Sequence, residues 1–313
     1  EELFLLDKDE NSIYEIDYEL RRRRSSSHRP IIADIRDTAR LNVIFGMHKP
    51  EIVFHAAAHK HVPLMECNIP EAIRNNILGT RNVSLLAEQF GVKSFIFISS
   101  DKAVNPTNVM GATKKIGEMI IQNCAQTSST NFSCVRFGNV LGSRGSVVPL
   151  FQKQIAEGGP ITITHPDITR YFMSISEAVQ LIIEAGTIGE KGEIFVLDMG
   201  EPIRILDLAK DLIKLSGYSE KDFEFRDIGL RPGEKLFEEI LIDEERAKAT
   251  KFEKLYIAPP IEYESKEFAQ KLGKLLNDAE AGDENLILES LKMMGIGYQQ
   301  SVPTAPSSSK YIQ

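Results

Sequence analysis

The stretch Phe95 to Lys114, FIFISSDKAVNPTNVMGATK, constrains this chain more than any other. Phe95–Ser99 is an apolar run too short for a helix and rich in β-formers, which predicts a strand buried on both faces of a parallel sheet. In open α/β sheets ligands bind beyond the carboxyl ends of the strands, where Ser99, Ser100, Asp101 and Lys102 fall. Asn105-Pro106-Thr107 turns the chain, and the spacing from Asn108 to about Ala125 predicts a helix. Met110 and Lys114 lie four apart and share a helix face. An acid, an ammonium, a hydroxyl and a second lysine are thereby aimed into one cleft.

The flanking sequence repeats the strand–helix alternation of a doubly wound parallel α/β sheet. Leu3–Leu6 predicts a strand ending in Asp7-Lys8, and Ser12 to about Arg24 an amphipathic helix. Arg21–Arg24, followed by three serines, read as a solvated helix end that suits the dipole. Ile31-Ile32-Ala33, Glu51–Ala56, Phe132–Phe137 and Phe195–Leu197 predict further strands. Pro70–Phe90 predicts a helix, with proline in its first turn and Gly91 past its end. From Val147 the character changes: Pro149–Gly158 reads as a helix, Ile161–Thr164 as a strand and Ile205–Ser216 as a helix. Residues 1–145 are therefore expected to form a dinucleotide-binding core. Residues 146–295 are expected to form mainly a smaller substrate lobe, with 247–293 as charged helices and linkers, and residues 296–313 a mobile tail.

A chain of 313 residues, 42% hydrophobic, can bury one large core or a core with a lobe. Its net charge of −8 argues against general nucleic-acid binding. Cys67, Cys124 and Cys134 are odd in number and lack metal-ligand spacing, so they read as free core thiols of a reducing compartment. No apolar run reaches the length of a membrane span, and the chain as it stands is expected to be soluble. His55, His59 and His61 invite a metal reading, but no carboxylate or cysteine stands at ligand spacing, and none is expected. Leu230-Arg231-Pro-Gly-Glu234-Lys235-Leu-Phe-Glu238 fixes a turn that presents a guanidinium rigidly to phosphate or carbonyl oxygens.

The strand–SSDK, turn and MGATK order resembles the catalytic segment of extended short-chain dehydrogenase/reductases, specifically the nucleotide-sugar 4,6-dehydratases of the polysaccharide-biosynthesis (capsule) family. Most of that superfamily carries Tyr-x-x-x-Lys; this chain has Met110-x-x-x-Lys114. Methionine at that place is similar to the larger UDP-N-acetylglucosamine 4,6-dehydratases, and implies retention at C5. The resemblance implies a site in which Ser100 meets the C4 oxygen, Asp101 moves the C4 and C6 protons, Lys102 takes the C5 proton as a neutral amine, and Lys114 holds the nicotinamide ribose. Burial beside Lys114 is expected to lower the pKa of Lys102. For the cofactor it implies Asp7 and Lys8 at the adenosine ribose, Asp34 and Ile35 at adenine, Ala56, Ala57 and Ala58 under the dinucleotide, Lys60 at a ribose or the sugar, and Asn76 behind the site. For the substrate it implies Lys60, Asn139, Arg144, Arg231 and Glu234.

Asp7 suits the acid that follows a Gly-x-Gly-x-x-Gly turn by about 20 residues, yet no such turn occurs, so the first strand and phosphate loop are expected to lie outside this chain. Asp7 favours NAD, while Lys8 suits a ribose phosphate, which leaves NADP open. The family further implies a homo-oligomer, a dimer or higher, and a cytoplasmic enzyme, at the inner membrane face if an anchor lies upstream. Two alternatives stand beside the dehydratase: a nucleotide-sugar epimerase, which has no use for Asp101-Lys102, and a degenerate nucleotide-binding scaffold.

Overall fold

The computed structural model describes residues 2–23, 27–241 and 247–299. Its centre is a six-stranded sheet built from β3 (Ile52–His55), β4 (Ser94–Ile98), β5 (Asn131–Arg136), β6 (Glu193–Leu197), β7 (Lys248–Ala249) and β8 (Leu255–Ala258), in the order β7-β8-β6-β5-β4-β3. From β3 to β6 the pairing is parallel; β8 runs antiparallel to β6, and β7 to β8. Phe95, Phe97, Phe132 and Phe195 are almost wholly buried, as continuous apolar strands between two helical layers must be. A separate parallel pair, β1 (Leu3–Asp7) and β2 (His28–Ile32), carries the amino-terminal strands. The doubly wound architecture read from the alternation is thus present, with its strands divided between two sheets.

The predicted helix over 70–90 forms as the helical run Ile69–Gln89, but its centre, Ile73–Leu78, is a π-helix. Gly79 follows that wide turn, and a Cβ there would come within 2.3 Å of Ile35 Cδ1. The absence of a side chain lets the loop after β2 seat Ile35 in the core, where it is 6% exposed. The adenine packing expected of the Ile35 side chain therefore gives way to a contact with this helix.

A further core of Phe151, Ile155, Ile161, Ile163, Ile168, Ile205, Ala209 and Ile213 lies outside the sheet. It joins the helices Val147–Ala156 and Ile205–Leu215 to the strand pair Ile161–Ile163 and Phe225–Asp227. The region 247–293, read as helices and linkers, also supplies β7 and β8; their apolar runs are too short to show a period among charged neighbours. Its helices Ser265–Ala281 and Glu284–Met293 bury Phe268, Leu275 and Ile287 in the main core.

Two expectations are corrected. The segment assigned to a mobile tail begins with Ile296 and Tyr298, both buried, and Gln299 N donates to Pro106 O; residues 300–313 lie outside the described residues. Cys67 is exposed at the end of the short helix Val62–Glu66, whereas Cys124 and Cys134 are buried. At the arginine-rich helix end, Arg21 and Arg23 pair with Asp17 and Glu19 one turn back; Arg24, Ser25 and Ser26 lie outside the described residues. Among the described residues no helix is long and apolar enough to cross a membrane.

Candidate active site

Beyond the end of β4 the chain keeps hydrogen bonding to the β5 side, Ser99 N to Val135 O and Asp101 N to Phe137 O. This places the catalytic turn at the carboxyl edge of the sheet. Ser100 caps a 3₁₀ turn, Asp101–Ala103, and Asn108 caps the helix Val109–Ala125, its Oδ1 accepting from Gly111 N at 2.7 Å. A Cβ on Gly111 would stand 2.2 Å from the Lys102 carbonyl oxygen, so only glycine lets helix and turn meet here. Below them Glu118 accepts from Ser99 Oγ and from Arg136 Nε, both at 2.7 Å. Glu118 and Arg136 are fully buried, and this pair ties β4, β5 and the helix together.

Asp101 is 1% exposed. Its Oδ1 accepts from Lys102 Nζ at 2.9 Å, Ser100 Oγ at 2.8 Å and Lys102 N at 2.8 Å. Its Oδ2 has no hydrogen-bond partner, and a Cβ on Gly138 would lie 3.3 Å from it. Lys114 Nζ donates to Ile98 O at 2.8 Å and stands 4.8 Å from the centre of the Phe97 ring. Burial lowers the Lys114 pKa to about 8, against the upward pull of Glu118 and Cys134. For Lys102 burial also disfavours the charge, but the attraction of Asp101 and Glu238 overrides it and the pKa is raised. The neutral Lys102 expected from burial is thus corrected: it rests as an ammonium, and Lys114 carries the depressed amine.

A cavity of about 770 Å³ opens over this turn, between the sheet edge and the outlying core. It brings together Ser100, Lys102, Met110, Lys114, Ala56, Ala58, Lys60, Asn139, Arg231 and Glu234. Lys60 has its pKa lowered by burial and by the charge of Lys102. Glu234 accepts from Arg170 and from Arg231 N, both at 3.2 Å, so its carboxylate braces the Arg231 turn.

The other expected site residues lie off the cavity wall. Arg144 points outward, hydrogen-bonded to Ser12 and paired with Glu15, so the expected diphosphate contact is not formed in this arrangement. Asn76 sits behind the wall: its Oδ1 accepts from His59 N at 2.7 Å and its Nδ2 donates to His59 O and Thr113 Oγ1. At the ends of β1 and β2, Asp7 Oδ1 accepts from Asp9 N and Lys8 Nζ donates to Asn75. Asp34 is clasped by Arg36, which lowers its pKa, and Arg36 in turn reaches Glu71. Ala57 is exposed beside the lining alanines. Of the histidines, His55 is buried, with Nε2 2.9 Å from Thr80 Oγ1, while His61 lines the cavity. Among the described residues no group of three or more His, Cys, Asp or Glu could hold a metal.

Two groups named in the sequence motifs were given no place in the site by residue-level reading. Arg170, 6% exposed, lines the cavity and binds Glu234 and the carbonyls of Lys235 and Leu236. Glu238 is buried beside it, with Oε1 3.9 Å from Arg170 Nη2. The signal for both was a charge within an apolar motif, Arg170-Tyr-Phe-Met and Leu-Phe-Glu238.

A family model described as polysaccharide biosynthesis protein matches residues 1–260. The chain belongs to that family. It is 54% identical over 259 residues to the capsular polysaccharide biosynthesis protein CapD of Staphylococcus aureus, covering 82% of this chain and 43% of CapD. The chain thus spans under half the length of that relative. It is 41% identical to a UDP-glucose 4-epimerase of Rickettsia canadensis, over 73% of this chain and 66% of that protein. It is 38% identical to an inverting UDP-N-acetylglucosamine 4,6-dehydratase of Campylobacter jejuni, over 76% of this chain and 70% of the relative. Among solved structures, Pen from Bacillus thuringiensis superposes with a TM-score of 0.75 at 38% identity, covering 82% of this chain and 80% of Pen. Two of these relatives are thus named as nucleotide-sugar enzymes, an epimerase and a dehydratase, and the Rossmann-type fold is shared with Pen.

Proposed function

We propose that this chain carries the catalytic site of a nucleotide-sugar 4,6-dehydratase that takes UDP-N-acetylglucosamine to its 4-keto-6-deoxy product. The observation that carries the reading is the Asp101–Lys102 ion pair, whose lysine lines the cavity beside Lys114 while Asp101 lies buried behind it. Epimerisation at C4 needs only oxidation and reduction there, whereas loss of water across C5 and C6 needs both an acid and a base. Residues 1–145 serve as the cofactor half and the later lobe as the sugar-nucleotide half.

The floor fits the nicotinamide end of a dinucleotide: Ala56, Ala58 and Gly138 have small or no side chains, and Lys114 offers an ammonium to a ribose. NAD, when bound, supplies reversible hydride transfer; Asp7, at the end of β1, suits an unphosphorylated ribose. Asp101 takes the C4 hydroxyl proton through Ser100, which lines the cavity and whose Oγ donates to Asp101 Oδ1, and becomes neutral. Lys102 then loses the attraction that kept it charged, sheds its proton to the open cavity, and can accept the proton from C5. The protonated Asp101 returns its proton to the departing C6 hydroxyl. Met110 packs but transfers nothing. Arg231 holds the diphosphate, and Lys60 meets the sugar or the nicotinamide ribose.

The test is NMR of the reaction in deuterium oxide with UDP-N-acetylglucosamine. Asp101→Asn is expected to abolish turnover with substrate binding nearly intact. Lys102→Met is expected to allow C4 oxidation without dehydration or C5 exchange, and Met110→Ala to keep dehydratase activity. The product is expected to retain its C5 configuration, unlike that of the inverting relative. A fully active Lys102→Met would remove the mechanism, and a C4-epimer product would make the protein an epimerase.

A further inference from the structure

The turn at residues 231–234, which carries Arg231 and Glu234 into the cavity, is closed on itself: Glu234 N donates to Arg231 O at 3.0 Å, and Arg231 N donates to the Glu234 carboxylate. What joins it to the catalytic helix Val109–Ala125 is the side chain of Asn108, which is 2% exposed. Asn108 Oδ1 accepts from Gly111 N at 2.7 Å and so caps the helix, while Nδ2 donates to Gly233 O at 3.0 Å. Both ends of the amide are used, and only one orientation serves: reversed, it would set donor against donor and acceptor against acceptor. The fit is close. Gly233 has a φ of +78°, and a Cβ on it would stand 2.7 Å from Asn108 Cβ and 3.0 Å from Val62 Cγ1. Val62 opens the short helix that ends in Glu66, whose Oε1 accepts from Val109 N at 2.7 Å. The helix bearing Met110 and Lys114, the segment leading from Lys60 and the Arg231 turn, three walls of one cavity, therefore meet at Asn108.

Helix capping by itself asks only for an acceptor, which serine or aspartate supplies as well as asparagine. The donor on the same side chain has no part in the cap; it serves the Arg231 turn. Two other bonds tie this region to the neighbouring chain, from Lys235 Nζ to Val104 O and from Asn105 Nδ2 to Glu239, but both reach the loop before the helix, and the second is exposed. We propose that Asn108 is a positioning residue for the nucleotide, the side chain that fixes the Arg231 turn against the catalytic helix so that the diphosphate is gripped at a set distance from Lys102 and Lys114. This rests on the reading of Arg231 as the diphosphate contact. Because Asn108 acts by holding Arg231 in place, its loss weakens substrate and transition state alike and shows in KM, not in kcat.

The test is titration of the full chain with free UDP, on Asn108→Ser, Arg231→Ala and the double variant, alongside steady-state kinetics. Asn108→Ser keeps the helix cap and removes the bond to Gly233 O. It is expected to weaken UDP about tenfold and to raise the KM for the sugar nucleotide equally, with kcat and NAD affinity within about threefold of the parent. In the double variant UDP is expected to bind no more weakly than to Arg231→Ala alone, since a positioning residue then has nothing left to position. Asn108→Asp keeps the cap and the size of the side chain but sets a carboxylate against Gly233 O. It is expected to weaken UDP at least as much, and it carries the test, alone and with Arg231→Ala, if the serine variant fails to fold. Losses that multiply in the double variant, or a loss of NAD affinity and kcat equal to that of UDP, would overturn the proposal. If Arg231→Ala binds UDP like the parent, the reading of Arg231 falls and this inference with it; if Arg231→Ala binds UDP weakly and the folded Asn108 variants bind it like the parent, this inference alone falls.

Discussion

At the scale of single residues, the site depends as much on missing side chains as on present ones. Lys102 lines the cavity with Asp101 buried behind it, and Gly111 lets the helix carrying Lys114 press onto the Lys102 carbonyl. Gly111→Ala is therefore expected to destabilise the protein by about 2 kcal/mol, since the new methyl group meets backbone and not a movable side chain. The same change should displace Lys102, so turnover should fall further than stability alone explains. Chemical denaturation and steady-state kinetics on the variant check both; an unaltered denaturation midpoint would mean the helix can retreat without cost.

At the scale of elements, the π-helical centre of the run Ile69–Gln89 is what brings a polar residue to the back of the site. Asn75 and Asn76 occupy that widened turn, and both are buried. Asn76 stitches the backbone of His59, next to the cavity residue Lys60, to Thr113 on the lysine helix. Asn76→Ala is expected to cost about 2–3 kcal/mol, because His59 N and O would be left without these side-chain partners in a part-buried place. It should also loosen the alanine segment and raise the KM for the dinucleotide more than that for the sugar nucleotide. Thermal melts and separate titrations of the two substrates decide it, and equal effects on both would place the segment outside the cofactor half.

Across the whole molecule, buried charges tie stability to pH. Thr80 Oγ1 donates its one proton to Asn76 O, so the hydrogen bond between His55 and Thr80 is donated by His55 Nε2–H. Burial, with the charge of Lys114, lowers the His55 pKa from 6.5 to about 3. The unfolded chain therefore binds a proton that the folded one refuses, and stability present above pH 6.5 is lost as the pH falls towards 3. Between pH 7.5 and pH 5 this one group is expected to remove about 2 kcal/mol. Urea denaturation at both values measures the loss, and His55→Gln should shrink the difference; an equal loss in the variant would assign the acid sensitivity elsewhere.

What the sequence by itself determined is local in origin. The apolar run at 95–99, the Asn-Pro-Thr turn and the four-residue spacing of Met110 and Lys114 all act within one turn or strand, and they suffice to aim Ser100, Lys102, Met110 and Lys114 into one cavity, with Asp101 buried behind Lys102. The Arg-Pro-Gly-Glu turn was legible for the same reason. What only the tertiary structure decided is where distant segments meet. Ile35 is drawn into the core by a glycine 44 positions on, and Arg144 turns to Glu15 across 129 residues. Lys102 keeps its charge through the attraction of Asp101 first and of the distant Glu238 second. Burial by itself would have neutralised that lysine, and which anions come to face it is set by packing between segments far apart in the chain.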